Sequence, residues 1–185
     1  MKYPVHTLES APVNARDTLG KIVEAWGFLP HLGAVMAESP AALELLWVAY
    51  AALNAKGTLT APEQQLVCVA ASRENACAYC VAAHSTMALG AKLPPAVLRA
   101  VREGGEIDDR RLHALRVTAE RLVRQRGNLS EADKSDFVAA GYTAGQLLEV
   151  VGWISVKTLT NYANHIAETP VDPQWEGQAW AARRR

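Results

Sequence analysis

Cysteine is scarce, three in 185 residues, and the number is odd. That excludes the disulfide framework of a small secreted scaffold. An excess of one charge is missing too, since 19 Lys and Arg face 19 Asp and Glu. A formal net charge of zero gives no electrostatic reason for a nucleic-acid partner or an anionic membrane surface. Long apolar runs are absent. The longest, residues 45–53, has nine residues, under half of the roughly 20 needed to span a bilayer as a helix. The opening Met1-Lys2-Tyr3-Pro4-Val5-His6 lacks the basic-then-apolar layout of a secretory leader. These absences leave the expectation of a cytoplasmic globular protein with neither a nucleic-acid nor a membrane partner. Half of the residues are apolar, enough for one real core.

What is abundant is alanine, 33 residues of 185, and helix propensity therefore dominates before any pattern is read. The apolar spacing agrees. Leu19, Ile22, Val23 and Trp26 follow the i, i+3, i+4, i+7 rule of one helix face. Ser39-Pro40 reads as an N-cap and first helical residue, with Leu43, Leu46, Trp47 and Tyr50 continuing a stripe up to Gly57. Thr60-Ala61-Pro62-Glu63 has capping-box spacing and opens a further helix. Helices are expected next over 76–89, from Pro94 to Gly104, between Asp108 and Gly127, after Ser130, and over 143–168 before Thr169-Pro170. No segment alternates with period two for long enough to make a strand. The expected fold class is all-α, a bundle of about seven to eight helices. Residues 1–38 are expected as an N-terminal helical arm on a main domain at 39–172, with 173–185 a loosely held tail that includes Trp175, Trp180 and the run Arg183-Arg184-Arg185.

Residues with chemistry to offer gather in one stretch, Glu74-Asn75-Ala76-Cys77-Ala78-Tyr79-Cys80-Val81-Ala82-Ala83-His84. Two cysteines three apart at a helix start can close a disulfide across one turn. The helix N-terminus lends them partial positive charge and free N–H groups, which favour a thiolate. His84 follows Cys80 by four residues, on the same helix face, where a base can take the thiol proton. Cys77 is one turn back, placed to attack an oxidised Cys80. A CxxC can also be half of a zinc site or a non-enzymatic thiol switch, although no second CxxC or HxxxH accompanies it. The haem-attachment pattern needs His immediately after the second Cys, where Val81 stands. Cys68, within Leu66-Val67-Cys68-Val69-Ala70, reads as a core thiol. Glu63 reads as a cap, and Glu74 as a helix-end charge close enough to tune the thiols.

CxxCxxxH at a helix start, in an Ala-rich all-α chain, resembles the carboxymuconolactone decarboxylase superfamily, and within it the AhpD-like alkylhydroperoxidases. The likeness runs from Thr60 to about Gly90, and Asn161-Tyr162-Ala163-Asn164-His165-Ile166-Ala167 is similar to the family's closing helix. The resemblance implies an AhpD-like helical bundle that assembles into trimers or hexamers. It implies Cys80 as peroxidatic thiol, Cys77 as resolving thiol and His84 as base, with a hydroperoxide as substrate. No bound cofactor is implied, only an external dithiol or lipoyl-type protein reductant. Lactone-decarboxylase chemistry on the same fold does not require a CxxC. One position departs from the peroxidase pattern: the Glu usually found twelve residues before the first Cys is Gln65 here. An amide cannot accept a proton at neutral pH, so Glu74 or Glu63 becomes the candidate relay carboxylate, and Gln65→Glu is expected to raise turnover. The apolar run at 45–53 and the stripe Leu147, Val151, Ile154, Thr158, Tyr162 exceed what one small domain buries, which points to a homo-oligomer.

Overall fold

Helix-forming segments need ends, and the capping residues supply them. The computed structural model describes residues 2–181, so the expected tail residues Arg183, Arg184 and Arg185 lie outside it. Among the described residues there are nine α-helices and one 3-10 helix, and no strand. They are α1 (Val13–Trp26), α2 (His31–Met36), α3 (Pro40–Lys56), α4 (Ala61–Glu74), α5 (Ala78–Gly90), α6 (Pro95–Glu103), α7 (Arg110–Arg124), α8 (Glu131–Ala139), α9 (Ala144–Ala167) and the 3-10 helix Pro173–Gln178. The all-α expectation holds. Ser39 accepts from the Ala42 amide to start α3, and Thr60 with Glu63, Ser130 with Asp133 and Thr143 with Gln146 form capping boxes. Gly27, in the left-handed region at φ 75°, ends α1. The additional element is α2, six residues long, too short for an apolar period to register.

The core is built around α4. Leu66, Val67, Cys68, Val69, Ala70 and Ala71 are all fully buried, so the middle of this helix is apolar around its circumference, as the centre of a core helix must be. It packs against α5, α6, α7 and α9, and its small side chains allow neighbouring backbones to approach. Leu115, Ala119, Phe137, Val150 and Trp153 complete the main cluster. At about 1.5–3 kcal/mol for each large side chain removed from water, this cluster dominates the stability of the fold. A second cluster joins the N-terminal helices to the rest: Ala15, Leu19 and Ile22 of α1 pack with Met36, with Leu43 and Leu46 of α3, and with Val156 of α9.

The loosely held tail is a correction. Residues 173–178 form the 3-10 helix, and Trp175 is buried. Its ring makes edge contacts with Trp26, Phe28 and Tyr79 at centroid separations of 6.4, 5.7 and 5.4 Å. Beside it, the buried Asp172 carboxylate accepts from the Tyr79 hydroxyl at 2.6 Å and from the His31 amide at 3.0 Å. The Tyr79 oxygen in turn accepts from the Leu32 amide at 3.1 Å. One side chain inside the CxxC therefore ties α2 and the C-terminal segment to α5. Composition hides this, because Pro173, Gly177 and the tryptophans read as irregular while their order comes from distant partners.

Asp172→Ala should strip the acceptor from two donors, at about 1–3 kcal/mol for each one left buried and unpaired. We expect a lower melting temperature and faster amide exchange in 31–36 and 173–178 than in α4. Unchanged exchange in those segments would show that the carboxylate does not hold them.

Candidate functional site

The α4–α5 turn sets the two thiols. Ala76 takes φ 56°, in the left-handed region that costs a non-glycine residue about 1–2 kcal/mol. The Cys77 amide then reaches back to the Ser72 carbonyl at 2.9 Å. Cys77 thereby becomes the N-cap of α5 rather than part of its first turn, and Cys80 is its third residue. Both are buried free thiols, and the Cys77 thiol donates a hydrogen bond to the Cys80 sulfur.

Around Cys80 the partners come from α9. Asn164 Nδ2 donates to Cys80 Sγ at 3.2 Å, and Thr160 Oγ1 lies 3.9 Å from it. Asn164 Oδ1 has no partner of its own. Lys157, one turn before Asn161, is also buried, with 1% of its surface exposed. Lys157 Nζ donates to the Tyr50 hydroxyl at 3.1 Å and to His84 Nε2 in a very close contact. The other imidazole nitrogen, Nδ1, is 2.9 Å from Gln65 Oε1. An amide oxygen only accepts, so Nδ1 carries the ring proton and Nε2 offers its lone pair to Lys157.

Burial opposes charge on Cys80. The hydrogen bond from Cys77, the Lys157 ammonium, and contacts with Asn161 and Thr160 outweigh it, and the thiol pKa falls well below its ordinary range. Cys77 is pushed up, first by the bond it donates to Cys80 and then by its own burial. Burial, with the Lys157 charge added, holds the His84 pKa well below its usual value, so the ring is neutral. Burial also favours a neutral Lys157, but the Tyr50 oxygen and the Cys80 and Cys68 sulfurs outweigh it and raise the pKa. Cys68 is fully buried, and burial pushes its thiol up to about 12; it is a core thiol.

The structure brings together Cys77 and Cys80, and separately His84 and Gln65. It does not join Cys80 to His84: among the described residues no hydrogen bond connects them, and both ring nitrogens are engaged elsewhere. Four-residue spacing puts the two side chains on one face of α5, but Gln65 on α4 and Lys157 on α9 claim the ring. Neither alternative relay carboxylate reaches the imidazole. Glu74 is held by Arg124 at 2.6 and 2.8 Å and by Arg73 at 2.8 Å. Glu63 caps α4 and accepts from Arg111 at 3.1 Å and Tyr142 at 2.9 Å. A metal finds no ready cage, since among the described residues no three His, Cys, Asp or Glu side chains gather.

Sequence reading missed Lys157, Thr160, Asn164, Tyr50 and Asp172. A signal for three of them exists. Lys157, Thr160, Asn161 and Asn164 lie at i, i+3, i+4 and i+7, continuing the buried face of α9 begun by Val150 and Trp153. Polar residues in place of the apolar stripe mark a site.

Cys80, His84, Lys157 and Tyr50 are among the residues lining a cavity of about 220 Å³. Its walls are mostly apolar, with Ile22, Trp26, Leu46, Trp47, Met87 and Trp175 prominent. Among the described residues no single helix is long and apolar enough to cross a membrane.

Comparison with known proteins matches residues 34–120 to the model of the carboxymuconolactone decarboxylase family. No curated protein matches the chain in sequence. Among solved structures, a peroxidase-related protein with an alkylhydroperoxidase AhpD core from Ralstonia eutropha JMP134 is 23% identical, with a TM-score of 0.82 over 94% of this chain and 93% of that one. A peroxidase-related protein from Silicibacter sp. TM1040 is 18% identical, with a TM-score of 0.79 over 96% and 94%. The debrominase Bmp8, as its C82A variant with 2,3,4-tribromopyrrole, is 13% identical, with a TM-score of 0.80 over 96% and 95%. At these identities the structures establish a shared fold. The family match covers residues 34–120, and the chain as a whole has the all-α fold of the AhpD-core structure.

Proposed function

We propose that the protein is a thiol-dependent hydroperoxide reductase in which Cys77 and Cys80 cycle between dithiol and disulfide. The observation that carries this reading is a Cys80 thiol held toward its thiolate in the lining of an apolar cavity, with a second thiol hydrogen-bonded to it. The thiolate attacks the distal oxygen of ROOH. The O–O bond breaks, an alcohol leaves once protonated, and Cys80 becomes a sulfenic acid. The Cys77 thiol then displaces water from it to close the disulfide. An external dithiol, small or on a lipoyl-type protein arm, restores both thiols by exchange. The two electrons come from sulfur, so the cycle calls for no bound cofactor. A cavity of roughly 150 Å³ accommodates benzene, so 220 Å³ suits a hydroperoxide on a single ring or a short alkyl chain.

The aromatic walls favour one second reading, reductive dehalogenation of a small halogenated ring, the kind of molecule bound in the debrominase structure. That reaction also balances on the two thiols: the ring carbon gains a proton, the halogen leaves as halide, and the thiols become a disulfide. Bromide release from a bromopyrrole, faster than alkyl hydroperoxide turnover, would favour it.

The reading extends to assembly. Leu45 and Val48 on α3, and Leu148, Tyr162 and Ile166 on α9, are large apolar side chains left more than half exposed. Such faces support a homo-oligomer, with trimer or hexamer suggested by the family. Sedimentation at micromolar concentration should find a species heavier than one chain; a monomer would overturn this part of the proposal.

With one equivalent of a single-ring hydroperoxide such as cumene hydroperoxide, Cys77→Ser should form a trappable sulfenic acid on Cys80 and then stop. Cys80→Ser should react no faster than a free thiol. Sulfenic acid on Cys77 of the Cys80→Ser protein, formed at the wild-type rate, would reverse the two roles.

A further inference from the structure

A buried cation without an anion is a strong statement about its neighbours. Lys157 Nζ is enclosed, and its two hydrogen-bond partners, the Tyr50 hydroxyl and His84 Nε2, are neutral acceptors. Among the described residues no carboxylate forms an ion pair with it. The groups around it are Tyr50 from α3, Cys68 from α4, and Cys77, Cys80 and His84 from α5, with Gln65 bound to the far side of the His84 ring. Tyr50 and Cys68 are both pushed up to about 12 by burial, and Cys77 spends its proton on Cys80. His84 is pinned as the Nδ1–H tautomer and is a hydrogen-bond acceptor at Nε2. One group remains that can carry the balancing negative charge. It is Cys80, on the same cavity wall.

We infer that Lys157, not His84, is the acid–base partner of Cys80: its ammonium holds the thiolate and protonates the alkoxide that leaves the peroxide. This rests on the thiol-peroxidase reading. The proton count closes. In the resting state the pair is Lys157 ammonium and Cys80 thiolate. Attack on ROOH makes Cys80–SOH and RO⁻, and the ammonium passes one proton to give ROH and a neutral amine. The Cys77 thiol then condenses with the sulfenic acid, releasing one water. Reduction of the disulfide by an external dithiol yields the Cys77 thiol, the Cys80 thiolate and one proton, which Lys157 takes back. His84 and Tyr50 act as positioning residues that hold the amine in the cavity lining.

Titration of the thiolate absorbance near 240 nm tests this without any peroxide, in a Cys77→Ser background whose hydroxyl keeps the donor to Cys80. The unaltered site should titrate well below the ordinary cysteine value of ~8.5. Adding Lys157→Met should raise the midpoint by about 1–3 units, so ten- to a thousandfold less thiolate is present at a given pH on the rising limb. Lys157→Arg should keep it depressed. His84→Gln should move it much less than Lys157→Met. Gln65→Glu should also raise it, because a carboxylate beside the ring gives the ammonium a competing anion; this reverses the gain in turnover expected from the sequence alone. If Lys157→Met fails to fold, the wild type still decides. A Cys80 that titrates near 8.5 overturns the inference, as does a His84→Gln shift equal to that of Lys157→Met. A depressed, Lys157-dependent thiol in a protein without peroxide turnover would instead leave the pair standing and sink the peroxidase reading.

Discussion

The site depends on one buried ammonium. Placing a lysine nitrogen where water cannot reach it costs several kcal/mol unless neighbouring groups compensate. Lys157 is compensated by two oriented acceptors and by a thiol that can ionise. The same charge adds to burial in keeping the imidazole neutral and adds to the Cys77 hydrogen bond in depressing Cys80, while Cys77 itself is raised by the bond it donates and by burial. Lys157 reaches this position from α9, a helix of 24 residues. Its first half packs apolar side chains on α4, and its second half turns Thr160, Asn161 and Asn164 toward the thiols.

The scaffold keeps that geometry because polar cross-links are placed where α-helices alone would slide. Asn161 joins α4 through Ser72 at 3.2 Å and the α4–α5 turn through Asn75 at 2.9 Å. Glu149 of α9 accepts from Thr58 and Leu59 in the α3–α4 connection at 2.8 and 3.0 Å. Tyr79, which stands between the two cysteines, links α5 to Asp172 and to the Leu32 amide of α2. Each joins segments distant in sequence, and each fixes an element that carries a site residue. The cavity walls from α1, α2 and the 3-10 helix are thus mechanically coupled to the turn that carries the thiols.

What could be read from sequence follows the range of the interactions. Ser39, Thr60, Ser130 and Thr143 act on backbone amides two or three residues away, so the helix starts were legible. The CxxC was legible for the same reason, whereas the place of Gln65 came from the family resemblance, and the structure sets its amide oxygen 2.9 Å from His84 Nδ1. Lys157 was not, because it meets His84 across 73 residues of sequence and Tyr50 across 107. Trp175 looked like tail composition because the partners that order it, Tyr79 and Phe28, lie far back in the chain. Cys80 and His84 share a face of α5 without a hydrogen bond between them, for a subtler reason. Helical spacing fixes which face a side chain leaves from, while its end goes to the best acceptor or donor nearby.

Gln65 and Lys157 make most sense as one change. A carboxylate at position 65, on the peroxidase pattern, would draw the Nδ1 proton and let the imidazole work as a base toward sulfur. An ammonium at Nε2 would then face a ring tending toward imidazolium, and the two positive charges would repel at hydrogen-bonding distance. An amide at 65 removes that conflict, because it can only accept and so fixes the ring as neutral. The neutral ring then serves as a stable acceptor for the lysine, and the positive charge of the site rests on nitrogen Nζ instead of being shared with the imidazole. Placed there, the charge lies on the same cavity wall as Cys80. The glutamine that looks like a broken relay is, with the lysine present, the residue that lets a different proton carrier occupy the site.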